Sequence, residues 1–88
     1  PLINSLRVYP NPNTGNFSVS FTTRDPLEIY ISVSDIVGRE IYQEHYDSAL
    51  GGTGDFSADI NLESVKPGIY MVNLKLGEYT IHRKLLVK

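Results

Sequence analysis

The most constraining feature of this chain is its last stretch, Ile69 to Val87, in which apolar and polar residues alternate on both sides of Gly77-Glu78. A two-residue turn with Gly at its first central position is the type II′ turn that closes tight hairpins, because Gly tolerates the positive φ needed there. Closing the chain at that dipeptide sets Leu76 opposite Tyr79, Leu74 opposite Ile81, Val72 opposite Arg83 and Tyr70 opposite Leu85. One face then collects Tyr70, Val72, Leu74, Leu76, Tyr79, Ile81, Leu85 and Val87. The other collects Asn73, Lys75, Thr80, His82, Lys84 and Lys88. Arg83 interrupts the apolar face, and Ile69, Met71 and Leu86 interrupt the polar one. A slip of one residue would destroy this sorting, so the sequence predicts a hairpin with one buried face.

The same period of two runs upstream. Phe17, Val19 and Phe21 alternate with Ser18, Ser20 and Thr22, and after a break at Asp25-Pro26, Ile29, Ile31 and Val33 alternate with Tyr30, Ser32 and Ser34. Asp35-Ile36-Val37-Gly38 reads as a turn into an extended Arg39 to Tyr46. A Gly-rich loop over Ala49 to Gly54 precedes a strand over Asp55 to Asn61. Leu62 to Val65 has room for one helical turn before Lys66-Pro67-Gly68 stops it, and Leu6 to Tyr9 forms a short first strand ended by Pro10-Asn11-Pro12. About seven short strands at regular spacing predict an all-β fold, an antiparallel immunoglobulin-like β-sandwich.

Eighty-eight residues suffice for one domain, expected over 6–88 with 1–5 as residual linker. At typical per-residue values its stability is roughly 4–13 kcal/mol. Eight Lys and Arg against ten Asp and Glu give a net charge of −2, which argues against nucleic-acid binding. The charge is uneven: residues 1–81 sum to 5 − 10 = −5, whereas Arg83, Lys84 and Lys88 leave the last seven positions at +3. There is no Cys, hence no disulfide and no thiolate metal ligand. No apolar run approaches the roughly 20 residues that span a bilayer, so membrane insertion is not expected. The chain opens on Pro1 rather than Met, and a longer precursor carrying its targeting segment upstream is the expectation.

Little in the sequence points to catalysis. No Gly-x-Ser-x-Gly elbow is present, and His45 and His82 both read as surface histidines on strands, too far apart for an imidazole metal site. Asp55, Asp59 and Asn61 lack EF-hand spacing and read as the wet face of a strand. The chain is therefore expected to be no enzyme and to need no cofactor or metal. Asn16-Phe17-Ser18 matches a glycosylation sequon that arises often by chance. Tyr30, Tyr42 and Tyr46 offer a second reading as aromatic platforms of an accessory carbohydrate-binding or fibronectin-like sandwich of a secreted hydrolase.

Four pieces add a different kind of information. Val8-Tyr9-Pro10-Asn11-Pro12 with Gly15-Asn16-Phe17, then Asp35-Ile36-Val37-Gly38-Arg39, then Pro67-Gly68-Ile69-Tyr70, and finally Lys84-Leu85-Leu86-Val87-Lys88 stand in order. Together they resemble the type A C-terminal sorting domain of the type IX (Por) secretion system of Bacteroidota, from about Val8 onward. The Gly51-Gly52-Thr53-Gly54 loop matches no part of that pattern.

The resemblance implies an exported protein: an N-terminal passenger that crosses the periplasm and reaches the cell surface or the medium through the type IX machinery. It implies also a surface cysteine peptidase that removes the domain in many members. Pro10, Asn11, Pro12, Gly38, Gly68 and Tyr70 are read as structural, with Tyr70 filling the core. Lys84, Leu85, Leu86, Val87 and Lys88 are read as the element the machinery recognises, either through outward Lys84 and Lys88 or by β-augmentation along the strand. The plainer reading of those lysines is protection of an edge strand against aggregation.

Overall fold

The computed structural model describes residues 3–23, 28–46 and 54–88. Seven strands follow in order: β1 (Ile3–Tyr9), β2 (Asn16–Thr23), β3 (Ile29–Ser34), β4 (Glu40–Tyr46), β5 (Gly54–Asn61), β6 (Gly68–Leu76) and β7 (Tyr79–Val87). They form two antiparallel sheets of order β1-β2-β5 and β4-β3-β6-β7. This is the immunoglobulin-like sandwich with the fourth strand beside the third rather than beside the fifth. Among the described residues no helix is long and apolar enough to cross a membrane.

Each sheet contributes its inward-facing residues to one core. Val19, Ile29, Ile31, Val33, Val72, Leu74, Leu76 and Leu85 are fully buried. Phe21 stacks on Phe56 with ring centroids 4.9 Å apart, joining β2 to β5. Each fully buried aliphatic side chain contributes roughly 1.5–3 kcal/mol, so burial of these alternating residues is the main force holding the sheets face to face.

The hairpin predicted at Gly77-Glu78 forms with the expected register, Leu76↔Tyr79 through Tyr70↔Leu85. Gly77 has φ +60° while Glu78 keeps a negative φ, as a type II′ turn requires. Tyr79 lies on the inward register yet is 62% exposed, because β7 is the edge strand of its sheet, while Leu76 opposite it on the inner strand β6 is fully buried. Tyr70 is likewise only half-buried: it packs at the rim of the core and donates its hydroxyl to the Lys66 carbonyl at 2.6 Å.

Other expectations need adjustment. β1 begins at Ile3 rather than Leu6, and a bulge with Ser5 at φ 58° interrupts its pairing before Arg7. Leu62 to Val65 makes a turn centred on Glu63 and Ser64 rather than a helical turn, with Ser64 at φ 57°. Gly68 does not sit in that turn; it opens β6. The Asp25-Pro26 break and the loop residues Gly51, Gly52 and Thr53 lie outside the described residues, as do Pro1 and Leu2, and Gly54 opens β5.

Candidate functional site

Strand β7 splits the predicted recognition element in two. Leu85 and Val87 point inward and are buried, so they belong to the core, whereas Lys84, Leu86 and Lys88 are exposed on the outer face. On the folded domain three of the five side chains are therefore accessible.

The main-chain edge of that same segment is already occupied. Asn11 donates from Nδ2 to the Lys84 carbonyl at 2.9 Å and accepts at Oδ1 from the Leu86 amide at 2.9 Å. Two residues on, the Asn13 amide donates to the Leu86 carbonyl at 3.0 Å and the Lys88 amide donates to the Asn13 carbonyl at 2.8 Å, a parallel bridge between Asn13 and Val87. The connection between β1 and β2 thus crosses from one sheet to the other and clasps the end of β7. β-Augmentation along Lys84 to Lys88 is excluded while the clasp is closed, because Lys84 O, Leu86 N, Leu86 O and Lys88 N have partners within the chain. The clasp protects this edge more directly than the lysines do.

Asn13 is the keystone of the clasp. It is 5% exposed, donates from Nδ2 to the Pro10 carbonyl at 2.9 Å, and accepts at Oδ1 from the Gly15 amide at 2.8 Å. Gly15 then accepts from the Leu62 amide at 2.7 Å, and its φ of +111° suits only glycine. A Cβ on Gly15 would lie 2.9 Å from the Leu62 carbonyl oxygen, so the close approach of these two chains also needs glycine. The Tyr9–Pro10 and Asn11–Pro12 peptide bonds are both cis.

The second motif makes a self-contained turn. The Asp35 carboxylate accepts from the Val37 and Arg39 amides (3.1 and 2.9 Å) and from Arg39 Nε (3.1 Å). Desolvation pushes the Asp35 carboxyl upward, but those two amides and the guanidinium outweigh it and hold the carboxyl below the ordinary aspartate value. Gly38, at φ +89°, donates its amide to the Asp35 carbonyl at 3.0 Å.

Register brings all four motifs to one end of the sandwich. Ser34 precedes the Asp35 turn and pairs with Met71; Gly68 pairs with Val87; Asn16 pairs with Asn61. The Asp35 turn, the start of β6, the end of β7 and the clasp are therefore neighbours. A cleft lined by Asp35, Arg39, Tyr42, Leu62, Lys66 and Tyr70 opens at this end.

Of the remaining candidates, Tyr42 and Asn16 stand at this end and the others away from it. Tyr30 stacks on His45 with centroids 4.3 Å apart, and Lys75 Nζ is 5.8 Å from its ring. Tyr46 meets Phe56 edge to face, and burial raises the phenol pKa of both Tyr42 and Tyr46 above 10.0. Tyr30 and Tyr46 are thus covered by neighbouring rings, whereas Tyr42 packs partly against the core and lines the cleft. His82 Nδ1 lies 2.6 Å from Asn73 Oδ1. Asp55 and Asp59 accept from Thr22 and Ser18 across the β2–β5 pair, on the outer side of that sheet. Among the described residues no three His, Asp or Glu side chains converge on a metal site. Asn16 of the sequon is exposed at the start of β2.

The profile of the secretion system C-terminal sorting domain matches residues 7–88, and the chain belongs to that family. It is similar to an endo-acting ulvan lyase of Formosa agariphila, 27% identical over 88 residues. The match takes in 99% of this chain and 16% of that protein, so the chain spans about a sixth of the relative's length. The domain is a C-terminal sorting signal for type IX secretion, directing export to the cell surface or the extracellular space.

Proposed function

We propose that the domain acts by being recognised, through the outward side chains of Lys84, Leu86 and Lys88 on a strand held in place by the Asn11–Asn13 clasp. The observation that carries this reading is the convergence of four sequence-distant motifs on one end, with hydrogen bonds spanning 73 and 75 positions. In this reading Pro10, Asn11 and Pro12 build the clasp, while Gly38, Gly68 and Tyr70 support the surface around it. The domain carries out no chemistry of its own. Its partners are the type IX machinery, an N-terminal passenger joined ahead of β1, and a surface cysteine peptidase to which the segment upstream of the fold is substrate. The domain proper runs from β1 to Lys88.

The test is export of a signal-peptide-bearing reporter fused to this domain in a type IX-competent bacterium. Deleting Lys84 to Lys88 is the wrong perturbation, since it removes core residues Leu85 and Val87. Lys84→Ala with Lys88→Ala leaves the core intact. Surface delivery by the parent and periplasmic retention of the folded double variant support the reading. Equal export of both removes the lysines from it.

A further inference from the structure

Eight large apolar side chains are exposed among the described residues, and six of them, Ile36, Val37, Ile41, Ile69, Met71 and Leu86, lie at this one end of the four-stranded sheet. Core burial cannot account for Ile69, Met71 and Leu86, because they face water while Val72, Leu74, Leu85 and Val87 of the same two strands fill the core. On the outer face Ile69 stands opposite Leu86, and Met71 stands between Ser34 and Lys84. The next row is polar and closed on itself: Asn73 Nδ2 reaches Ser32 Oγ at 3.3 Å and Ser34 Oγ at 3.2 Å, and Asn73 Oδ1 meets His82. The apolar patch thus has a satisfied polar border on one side and a cationic border, Lys84 and Lys88, along β7.

We infer that the Ile69–Met71–Leu86 face docks a protein segment bearing apolar side chains with carboxylates beside them, the carboxylates answering Lys84 and Lys88. The inference rests on the sorting role set out above and specifies the chemistry of the partner. Contact is by side chains across the face, since the clasp has taken the adjoining main-chain groups. Charge decides between occupants. A second copy packed β7 on β7 about a two-fold axis would set the Lys84 and Lys88 cations of the two molecules beside one another, an arrangement that like-charge repulsion disfavours. An anionic lipid surface would meet the exposed Glu40 and Glu63 at the same end. An acidic, apolar protein segment lying along β6 and β7 covers the patch and pairs the lysines without spreading over the β4 edge where Glu40 stands, so it answers both features at once.

The test uses photo-crosslinking in the exporting bacterium, with the passenger–domain fusion carrying Leu86→p-benzoylphenylalanine. A control carries Ser57→p-benzoylphenylalanine on the outward face of the other sheet. The expected result is a cross-link from position 86, absent from position 57, to a protein segment with Asp or Glu within a few residues of the attachment point. Lys84→Glu with Lys88→Glu then lowers the yield about five- to tenfold, the weight of two charge contacts near a surface. Ile69→Thr with Met71→Thr lowers it while leaving thermal unfolding unchanged. Cross-links to a second copy or to lipid, equal yields at positions 57 and 86, or indifference to charge reversal would overturn the inference. Export without a position-86 cross-link defeats the docking face alone; failure of the parent fusion to leave the periplasm defeats the sorting reading with it.

Discussion

Replacing Asn11 by Ala isolates the clasp. The side chain makes two hydrogen bonds, from Nδ2 to the Lys84 carbonyl and to Oδ1 from the Leu86 amide, and both lie where water can replace them. A hydrogen bond exchanged for water contributes about 0.5–1.5 kcal/mol net, so losing the pair costs about 1–2 kcal/mol at such an exposed place. For a domain of this size each kcal/mol moves Tm by about 4–8 °C, giving an expected fall of about 5–15 °C. The loss is also local. The Leu86 amide loses its acceptor, and its hydrogen exchange should accelerate about tenfold or more, while Leu85 and Val87, whose backbones pair with β6, keep their protection. Asn11→Asp retains the acceptor and discards the donor, so it keeps Leu86 protected and still lowers Tm. Residue-resolved hydrogen exchange with a parallel melting curve reads all three. If the Leu86 amide exchanges at the parental rate in Asn11→Ala, the clasp does not hold β7 and the account of this end is wrong.

Three further perturbations bear on the same end. Gly15→Ala meets a positive φ and a carbonyl at 2.9 Å, and should cost about 2–4 kcal/mol in a denaturant titration; a neutral result would mean that the Gly15–Leu62 approach is not tight. Leu85→Ala empties a fully buried site and should cost about 2–5 kcal/mol, a large share of the stability expected for 88 residues, whereas Leu86→Ala next to it should stay within about 0.5 kcal/mol; equal losses would contradict the register. Asp35 has a folded pKa below its ordinary 3.8, so its charge stabilises the fold fully above that value, and the benefit fades as pH falls through the lower folded value. Asp35→Asn should therefore be less stable than the parent at neutral pH and should converge on it in acid; a gap that persists at low pH would assign the loss to shape rather than charge.

What the sequence made legible was local. The β6–β7 register follows from alternation and a two-residue turn, both contained within twenty residues, and alternation alone placed Leu85 and Val87 inward. Which strand joins which sheet depends on pairings far apart in the chain, such as Phe21 with Phe56, and no local pattern encodes them. The clasp was missed for the same reason. Pro10-Asn11-Pro12 read as a stiff stop to β1, and its function as a support for β7 appears only when residues more than 70 positions away arrive beside it. One signal was present: Asn13 two residues before Gly15 is the spacing of an Asx turn, which marks Asn13 as a structural residue before any partner is known. The exposed apolar residues were visible as Ile69, Met71 and Leu86 breaking the polar face, but only the paired register gathers them into one patch.

The clasp also makes the domain sensitive to its own completeness. The β6–β7 hairpin can assemble from neighbouring residues, whereas bonds spanning 73 and 75 positions form only after β1 and β7 have both taken their places in the sandwich. A chain whose first strand has come loose displays the lysines on an unclasped strand rather than on a closed edge. The closed clasp therefore reports, at a few residues of one edge, that the first and last strands of this domain are both in place.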